Sequence, residues 1–174
     1  MVAQILALPI AAPPSPWRLI ANAAIGGLQS VGFARNSELL FVTSSQGRGV
    51  FDAKTGERLA RDRNENFPED AINLEAVGIG PLEGQTIRMA GIYGGTLATT
   101  TADGWQSERI ALQWPMETLL LVPPGSWIYG ASFAKKAEMT KVSVDSEIRA
   151  WGFSSTGRSL VLAISSGVQI FSRD

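Results

Sequence analysis

Carboxylates are the side chains of this sequence that best suit acid–base chemistry. Glycoside hydrolysis needs two of them facing each other across the scissile bond. Asp52, Glu75, Asp103 and Asp145 are candidates, but no spacing among them selects a pair. Asp52 and Asp103 instead lie in turn-forming contexts, where an Asp side chain hydrogen-bonds its own backbone. A carboxylate-dependent, glycoside-active enzyme is therefore the least favoured reading.

Two short motifs fit patterns found in enzymes with an activated serine. Residues 132–135 (SFAK) fit S-x-x-K and residues 54–56 (KTG) fit K-T-G, but their order is reversed and no S-D-N element is present. We interpret residues 54–56 as a hairpin turn. The glycine-rich residues 91–95 lack the Lys and Ser/Thr of a phosphate-binding loop. None of these stretches predicts a catalytic site.

Histidine and cysteine are both missing from the 174 residues. Without histidine, the chain cannot build a Ser-His-Asp or Cys-His site, or a histidine-ligated metal. Without cysteine, it has no disulfide and no thiolate metal site. We therefore expect a protein that is not an enzyme and that carries no cofactor and no metal.

Charge and hydropathy restrict the partners. The net charge is −1, and the basic residues Arg58, Arg61 and Arg63 are interrupted by acidic ones, which predicts a solvated mixed face rather than a nucleic-acid surface. The apolar N-terminus lacks the basic region of an export signal, and no segment has the ~20 apolar residues of a membrane span. We expect a cytoplasmic protein without nucleic-acid or membrane partners. Residues 1–174 are predicted to form a single domain, with residues 1–16 as an apolar arm lying on it.

Strand signals run along the whole chain. Short apolar, β-branched or aromatic runs alternate with Gly, Pro, Asn, Asp and Ser. Helical periodicity is poor, and the best short candidate is 131–139. The predicted strands are 17–22, 28–34, 39–44, 48–52, 57–61, 73–79, 86–92, 96–100, 107–113, 118–122, 127–133, 139–144, 148–153, 159–164 and 167–172.

Two stretches near the ends of the chain repeat one pattern. QSVGFARNSELLFVTSSQGRGVFDAKTGE (29–57) and RAWGFSSTGRSLVLAISSGVQIFSRD (149–174) each run a Gly-Phe pair, a turn, an apolar strand, Ser-Ser, Gly and another apolar strand. Gly32 and Gly152 predict close approach of a neighbouring sheet or chain. If the pattern repeats along the chain, its copies begin near residues 32, 78, 120 and 152. Their mean spacing is about 40 residues, the length of four short strands joined by hairpins.

The two copies, at 29–60 and 148–174, resemble blades of WD40-like and quinoprotein-like β-propellers. The Gly-His start and Trp-Asp end of the full WD40 pattern are missing. The resemblance implies an all-β, small propeller-like array of about four antiparallel blades, and the alternative is an open β-sandwich. The matching positions are Phe33, Asn36, Gly47, Asp52, Thr55 and Gly56 in the first copy, and Phe153, Gly157 and Gly167 in the second.

The last copy stops after its third strand, and the predicted strand 17–22 has no copy of its own. Propellers often close when an N-terminal strand completes the C-terminal blade. We therefore expect residues 17–22 to pair with 167–172, which would cover an exposed sheet edge.

Partner-binding residues are expected in the loops where the repeat is least regular, 62–70, 101–106 and 133–140. Trp127 and Trp151 lie in apolar runs and are predicted to be core residues. Trp105 follows a turn and is expected to be partly exposed, where an aromatic ring suits a protein interface. The candidates are Glu65, Phe67, Glu69, Asp70, Asp103, Trp105, Lys135 and Lys136.

These observations favour a non-enzymatic, protein-binding domain. The segments WRL, GF, TSS, GxGVFD and TGERxARD, with the closing AxGFSxTGRS and FSR, resemble small bacterial proteins from polymorphic-toxin loci. That resemblance implies an immunity protein that neutralises a cognate toxin, with Glu65, Glu69 and Asp70 facing a basic partner. The alternative is a ligand-binding or structural β domain, and either protein would be a monomer or a homodimer.

Overall fold

The structure is a computed structural model that describes residues 2–133 and 137–173. The regular secondary structure of the described residues is β-strand, apart from helix α1 (Val2–Ala7) and two 3-10 turns (Gly80–Leu82 and Gly130–Phe133), so the all-β prediction is confirmed. Within these ranges no helix has the length and apolar character needed to cross a bilayer. The strands are β1 (Arg18–Ala24), β2 (Leu28–Phe33), β3 (Leu39–Ser44), β4 (Gly47–Asp52), β5 (Arg58–Asp62), β6 (Glu69–Asp70), β7 (Glu75–Val77), β8 (Thr86–Arg88), β9 (Ala90–Gly91), β10 (Gln106–Gln113), β11 (Met116–Val122), β12 (Thr140–Asp145), β13 (Ile148–Phe153), β14 (Ser159–Ile164) and β15 (Gly167–Ser172).

Within the described ranges these strands form four antiparallel sheets, none of them closed on itself, so the arrangement is β-sandwich-like, the alternative given above. The first sheet has the order β5-β4-β3-β2-β9, and the second is β6-β7-β8. The third is β10-β11-β12, and the fourth is β1-β15-β14-β13. Most neighbouring strands follow one another in sequence, as antiparallel pairing allows. Two strands join a sheet from elsewhere in the chain: β9 lies beside β2 in the first sheet, and β1 lies beside β15 in the fourth.

Strand β1 completes the fourth sheet from the opposite end of the chain. It pairs antiparallel with β15, from Arg18 opposite Ser172 to Ala24 opposite Gly167. The predicted pairing of 17–22 with 167–172 is therefore confirmed. The pairing satisfies backbone groups of β15 that would otherwise form an open sheet edge.

The first and fourth sheets pack face to face, and each is also covered on its other face. Val42 and Phe51 of the first sheet share one core cluster with Val161 and Ile170 of the fourth. On its other face the first sheet packs against β7 and β8, and the fourth packs against β10–β12. Strands β3 and β14 are consequently buried on both faces, which explains why they read as continuous apolar runs.

The two glycines of the repeat allow this close packing. A Cβ at Gly32 would overlap the carbonyl oxygen of Arg88 and lie 2.9 Å from Cγ2 of Ile87. A Cβ at Gly152 would lie 2.6 Å from Cβ of Leu97, and Gly152 has a φ of +144°. The predicted close approach of a neighbouring chain at both glycines is confirmed.

The N-terminal arm lies on the third sheet. Ile5 of α1 is fully buried in a cluster with Leu120, Val122 and Ile128. Further along the arm, the backbone N–H of residue 11 donates to the carbonyl of Lys141 over 2.9 Å. Helix α1 was not expected, because its six residues are too few for a periodic signal and its stability comes from packing.

Two predicted strands are wrong. Residues 127–133 form a turn and the 3-10 turn Gly130–Phe133. Residues 96–100 make only single bridges, from Ala98 to Phe153 and from Thr100 to Gln106, because they connect two sheets. Of the short helix predicted at 131–139, residues 131–133 belong to the 3-10 turn Gly130–Phe133 and residues 137–139 are not helical, whereas residues 134–136 lie outside the described ranges.

Candidate protein-interaction surface

Three aromatic side chains of the β11–β12 loop lie exposed and in contact with one another. Trp127 is 38% exposed, Tyr129 42% and Phe133 62%. The Trp127 ring centroid lies 5.3 Å from that of Tyr129 and 5.2 Å from that of Phe133, on which it stacks. We call these three residues the aromatic surface. The prediction that Trp127 is a core residue is wrong.

Local backbone structure presents the aromatic surface outward. After β11, a turn closes with the N–H of Ser126 donating to the Pro123 carbonyl over 3.1 Å. A second turn closes from Gly130 to the Trp127 carbonyl over 2.8 Å. Ile128, between Trp127 and Tyr129, is 3% exposed and packs in the core with Ile5 of the N-terminal arm. Because Ile128 takes the inward position, its two aromatic neighbours face solvent.

Ser126 joins the two ends of this loop. Its hydroxyl donates to the carbonyl of Glu138 over 3.0 Å and accepts from the Glu138 N–H over 2.6 Å. Ser126 itself is buried, with 5% of its surface exposed. The aromatic surface is therefore held on a closed loop whose base is fixed by buried hydrogen bonds, which strengthen in a low-dielectric setting.

Phe67, in the polar loop 62–70, is half-buried and contacts a charged side chain. The guanidinium of Arg48 lies 5.3 Å from the Phe67 ring centroid, a cation–π contact. The same guanidinium pairs with Asp62 over 2.6 Å. Phe67 is thus partly used in holding the loop to β4, whereas Glu65 is exposed and makes no hydrogen bond or ion pair within the described ranges.

Glu69 and Asp70 bind groups of the fold. The buried hydroxyl of Ser30 donates to Oε1 of Glu69. Asp70 is exposed, and its carboxylate accepts from the Asn73 N–H over 2.8 Å and from the Ile72 N–H over 2.9 Å. These hydrogen bonds, those from Asn73 above all, lower the pKa of Asp70 below its usual value. Glu69 therefore links β6 to β2, and Asp70 stabilises the turn after β6, so both carboxylates are engaged within the fold.

Asp103 and Trp105 contact residues that flank the first and the last strand, Trp17 before β1 and Arg173 after β15. Arg173 and the Thr101 hydroxyl donate to the Asp103 carboxylate, and they hold its pKa far below the usual range. Trp105 is 6% exposed and packs edge-on against Trp17, at a centroid distance of 6.0 Å. The expectation that Trp105 is partly exposed is therefore wrong, because Trp17 from before β1 covers it.

Two further carboxylates considered for catalysis, Asp52 and Asp145, are also engaged in turns. Oδ1 of Asp52 accepts from the Lys54 N–H over 2.8 Å, within the hairpin turn predicted at residues 54–56. Oδ1 of Asp145 accepts from the Glu147 N–H over 2.8 Å. The described residues hold no group of three or more acidic side chains that could bind a metal ion.

The remaining predicted site residues, Lys135 and Lys136, lie outside the described residues. Reasoning from sequence missed Trp114, which is 86% exposed at the β10–β11 turn. It also missed the aromatic surface, although a signal existed: the turn-forming PPGS (123–126) precedes an alternating Trp-Ile-Tyr, in which only one side can be buried.

Comparison with models of known protein families, with curated proteins and with solved structures gives no match to this chain.

Proposed function

We propose that this protein is a non-enzymatic binding protein that captures another protein through the aromatic surface. The observation that carries the proposal is the contact among Trp127, Tyr129 and Phe133, all of them exposed on a loop with a fixed base. Exposed apolar rings are unfavourable in water, and aromatic side chains dominate the energy of protein interfaces. A partner that covers these rings would remove that unfavourable exposure.

The hydrogen bonds between Ser126 and Glu138 fix the base of the β11–β12 loop, and this rigidity favours a binding role for the aromatic surface over a purely structural one. Rings already held in place lose little conformational freedom on association, so more of the contact energy appears as affinity. Lys135 and Lys136 follow Phe133 in sequence after a single alanine, Ala134. We therefore propose a partner with an apolar pocket bordered by acidic side chains, which would also steer the encounter.

The surroundings of the carboxylates agree with a non-enzymatic role. Asp52 and Asp145 accept backbone N–H groups of their own turns, and Asp103 pairs with Arg173. Catalytic acids need a raised pKa or a paired carboxylate. The hydrogen bonds to Asp103 instead lower its pKa.

Neutralisation of a bacterial toxin is the narrower form of this proposal. The toxin contact expected from the sequence is the acidic loop 62–70. In that loop Glu65 is an exposed charge, whereas Glu69 and Asp70 are hydrogen-bonded to Ser30 and Asn73. The aromatic surface is for this reason the better candidate for the contact, and the acidic loop a secondary one.

The test is co-expression with the product of the adjacent open reading frame, followed by co-purification and a growth assay. We expect a stable complex with the native chain, and loss of it with the double variant Trp127→Ala, Phe133→Ala. Trp114→Ala is the matched control, since Trp114 is more exposed but belongs to another hairpin. Equal binding by the double variant would contradict the aromatic surface, and rescue of growth would support toxin neutralisation.

A further inference from the structure

Three arginines line a groove beside strands β4 and β5, at one edge of the first sheet. Its volume is about 130 Å³, and it lies where the β1–β2 connection meets strands β3 to β5. Arg48, Arg58 and Arg61 line it together with the apolar Val42 and Phe51. No acidic side chain of the described residues lines it. The groove thus combines positive charge with an apolar floor.

A β-bulge places two of these arginines on one side of β5. Arg58 is opposite Phe51 and Arg61 is opposite Gly49, with a register shift between them. Residues three apart on a regular strand face opposite sides, and the extra residue of the bulge removes that difference. Gly49 contributes no side chain, so space remains between the arginines and the sheet.

The three arginines differ in their partners. Arg48 binds Asp62 through Nε and Nη2 and donates to the Val77 carbonyl over 3.2 Å. Arg58 and Arg61 are exposed, and neither side chain makes a hydrogen bond or ion pair within the described ranges. Two guanidinium groups at one groove are therefore available to an anion, a geometry that suits the oxygens of phosphate.

We propose that this groove binds a small phosphate monoester that carries one apolar group. The dianionic phosphate lies against Arg58 and Arg61, and the apolar group lies on Val42 and Phe51. A cavity of about 150 Å³ holds a benzene ring, so the space found here accepts one ring or a short alkyl chain. This inference goes beyond the protein-binding proposal, because it concerns another face and another class of ligand.

The test is isothermal titration calorimetry with phenyl phosphate, benzoate and inorganic phosphate as probes. We expect phenyl phosphate to bind most tightly, because it alone supplies both the dianion and the ring. Arg58→Gln or Arg61→Gln should weaken phenyl phosphate binding about tenfold or more, as expected for a lost charge-assisted contact. Arg35→Gln is the control, since Arg35 is an exposed arginine of the β2–β3 turn that does not line the groove.

A second variant tests the cavity without changing charge. A Cβ at Gly49 would lie 3.5 Å from the Ala60 carbonyl oxygen and 3.8 Å from Phe51, which are ordinary contacts. Gly49→Val should therefore fold, as checked by circular dichroism, fill the groove and weaken phenyl phosphate binding.

Three results would overturn the proposal. The first is no binding at about 10 mM phenyl phosphate, a concentration that detects even weak complexes. The second is an equal loss of affinity in Arg35→Gln, which would mean non-specific attraction. The third is equally tight binding of inorganic phosphate or benzoate, which would contradict the ring contact or the preference for a dianion.

Discussion

Arg173, the residue after β15, forms a bidentate ion pair with Asp103 in the turn before β10. Nη1 of Arg173 lies 2.6 Å from Oδ2 of Asp103, and Nη2 lies 2.7 Å from Oδ1. The guanidinium also lies 4.9 Å from the Trp17 ring centroid, and its Nε donates to the Gly157 carbonyl over 2.8 Å. One side chain therefore links the last strand to the residue before β1 and to two turns.

Replacing Asp103 should destabilise the fold in a pH-dependent way. Asp103→Asn leaves the largely buried Arg173 without its counter-charge, and we expect a loss of about 1–2 kcal/mol at pH 7. Because folding lowers the pKa of Asp103, its contribution is present above the unfolded pKa and disappears as pH falls through the lower, folded value. The difference between the native chain and the variant should thus shrink below pH ~4.

Urea unfolding at several pH values measures this difference. Asp145→Asn is the control, because Asp145 accepts one backbone N–H and has no ion pair in the described ranges. A difference for Asp103→Asn that stays constant between neutral and acid pH would contradict the proposed role of the charge.

Gly32 should tolerate no side chain. Gly32→Ala places a methyl group onto the Arg88 carbonyl and 2.9 Å from Cγ2 of Ile87, so one of the two sheets must shift. Overpacking of this kind costs about 1–3 kcal/mol. Gly49→Ala is the matched control, because its Cβ meets nothing closer than 3.5 Å. Thermal unfolding should show a clear fall in the midpoint for Gly32→Ala and little change for Gly49→Ala; equal midpoints would contradict the packing described.

A disulfide can test the pairing of β1 with β15. Asn22 and Gln169 are direct partners across the two strands, and the chain contains no other cysteine. Asn22→Cys with Gln169→Cys should oxidise readily and stabilise the fold by roughly 2–4 kcal/mol, since it closes a very long loop. Asn22→Cys with Ser166→Cys is the off-register control. Two free thiols in the first variant after oxidation, by thiol titration, would contradict the register.

The sequence predicted most strands well because strand formation follows from local patterns of apolar and turn-forming residues. The runs 39–44, 148–153, 159–164 and 167–172 match β3, β13, β14 and β15 in both bounds. The completion of the last sheet by β1 followed from counting strands in a repeat. Glycine within each apolar strand indicated close approach of a neighbouring chain, which is β8 at Gly32 and the segment 97–98 at Gly152.

The candidate surfaces were harder to predict because burial depends on distant residues. Trp105 is buried because Trp17 lies against it, and no local pattern connects the two. Trp127 is exposed because Ile128 packs with Ile5 of the arm, more than a hundred residues earlier in the chain. The groove depends on a register shift in β5, which has no sequence signature beyond an ordinary polar strand.

Ser126 should control access to the aromatic surface. Ser126→Ala removes both hydrogen bonds to Glu138, so the base of the loop should open more often by local unfolding. We expect trypsin to cleave after Lys135 or Lys136 about fivefold faster or more, in line with a loss of about 1 kcal/mol. Ser166→Ala is the control, because Ser166 is an exposed serine in another turn. Mass spectrometry of the fragments gives the rates, and unchanged cleavage at these two sites would mean that Ser126 does not hold the loop closed.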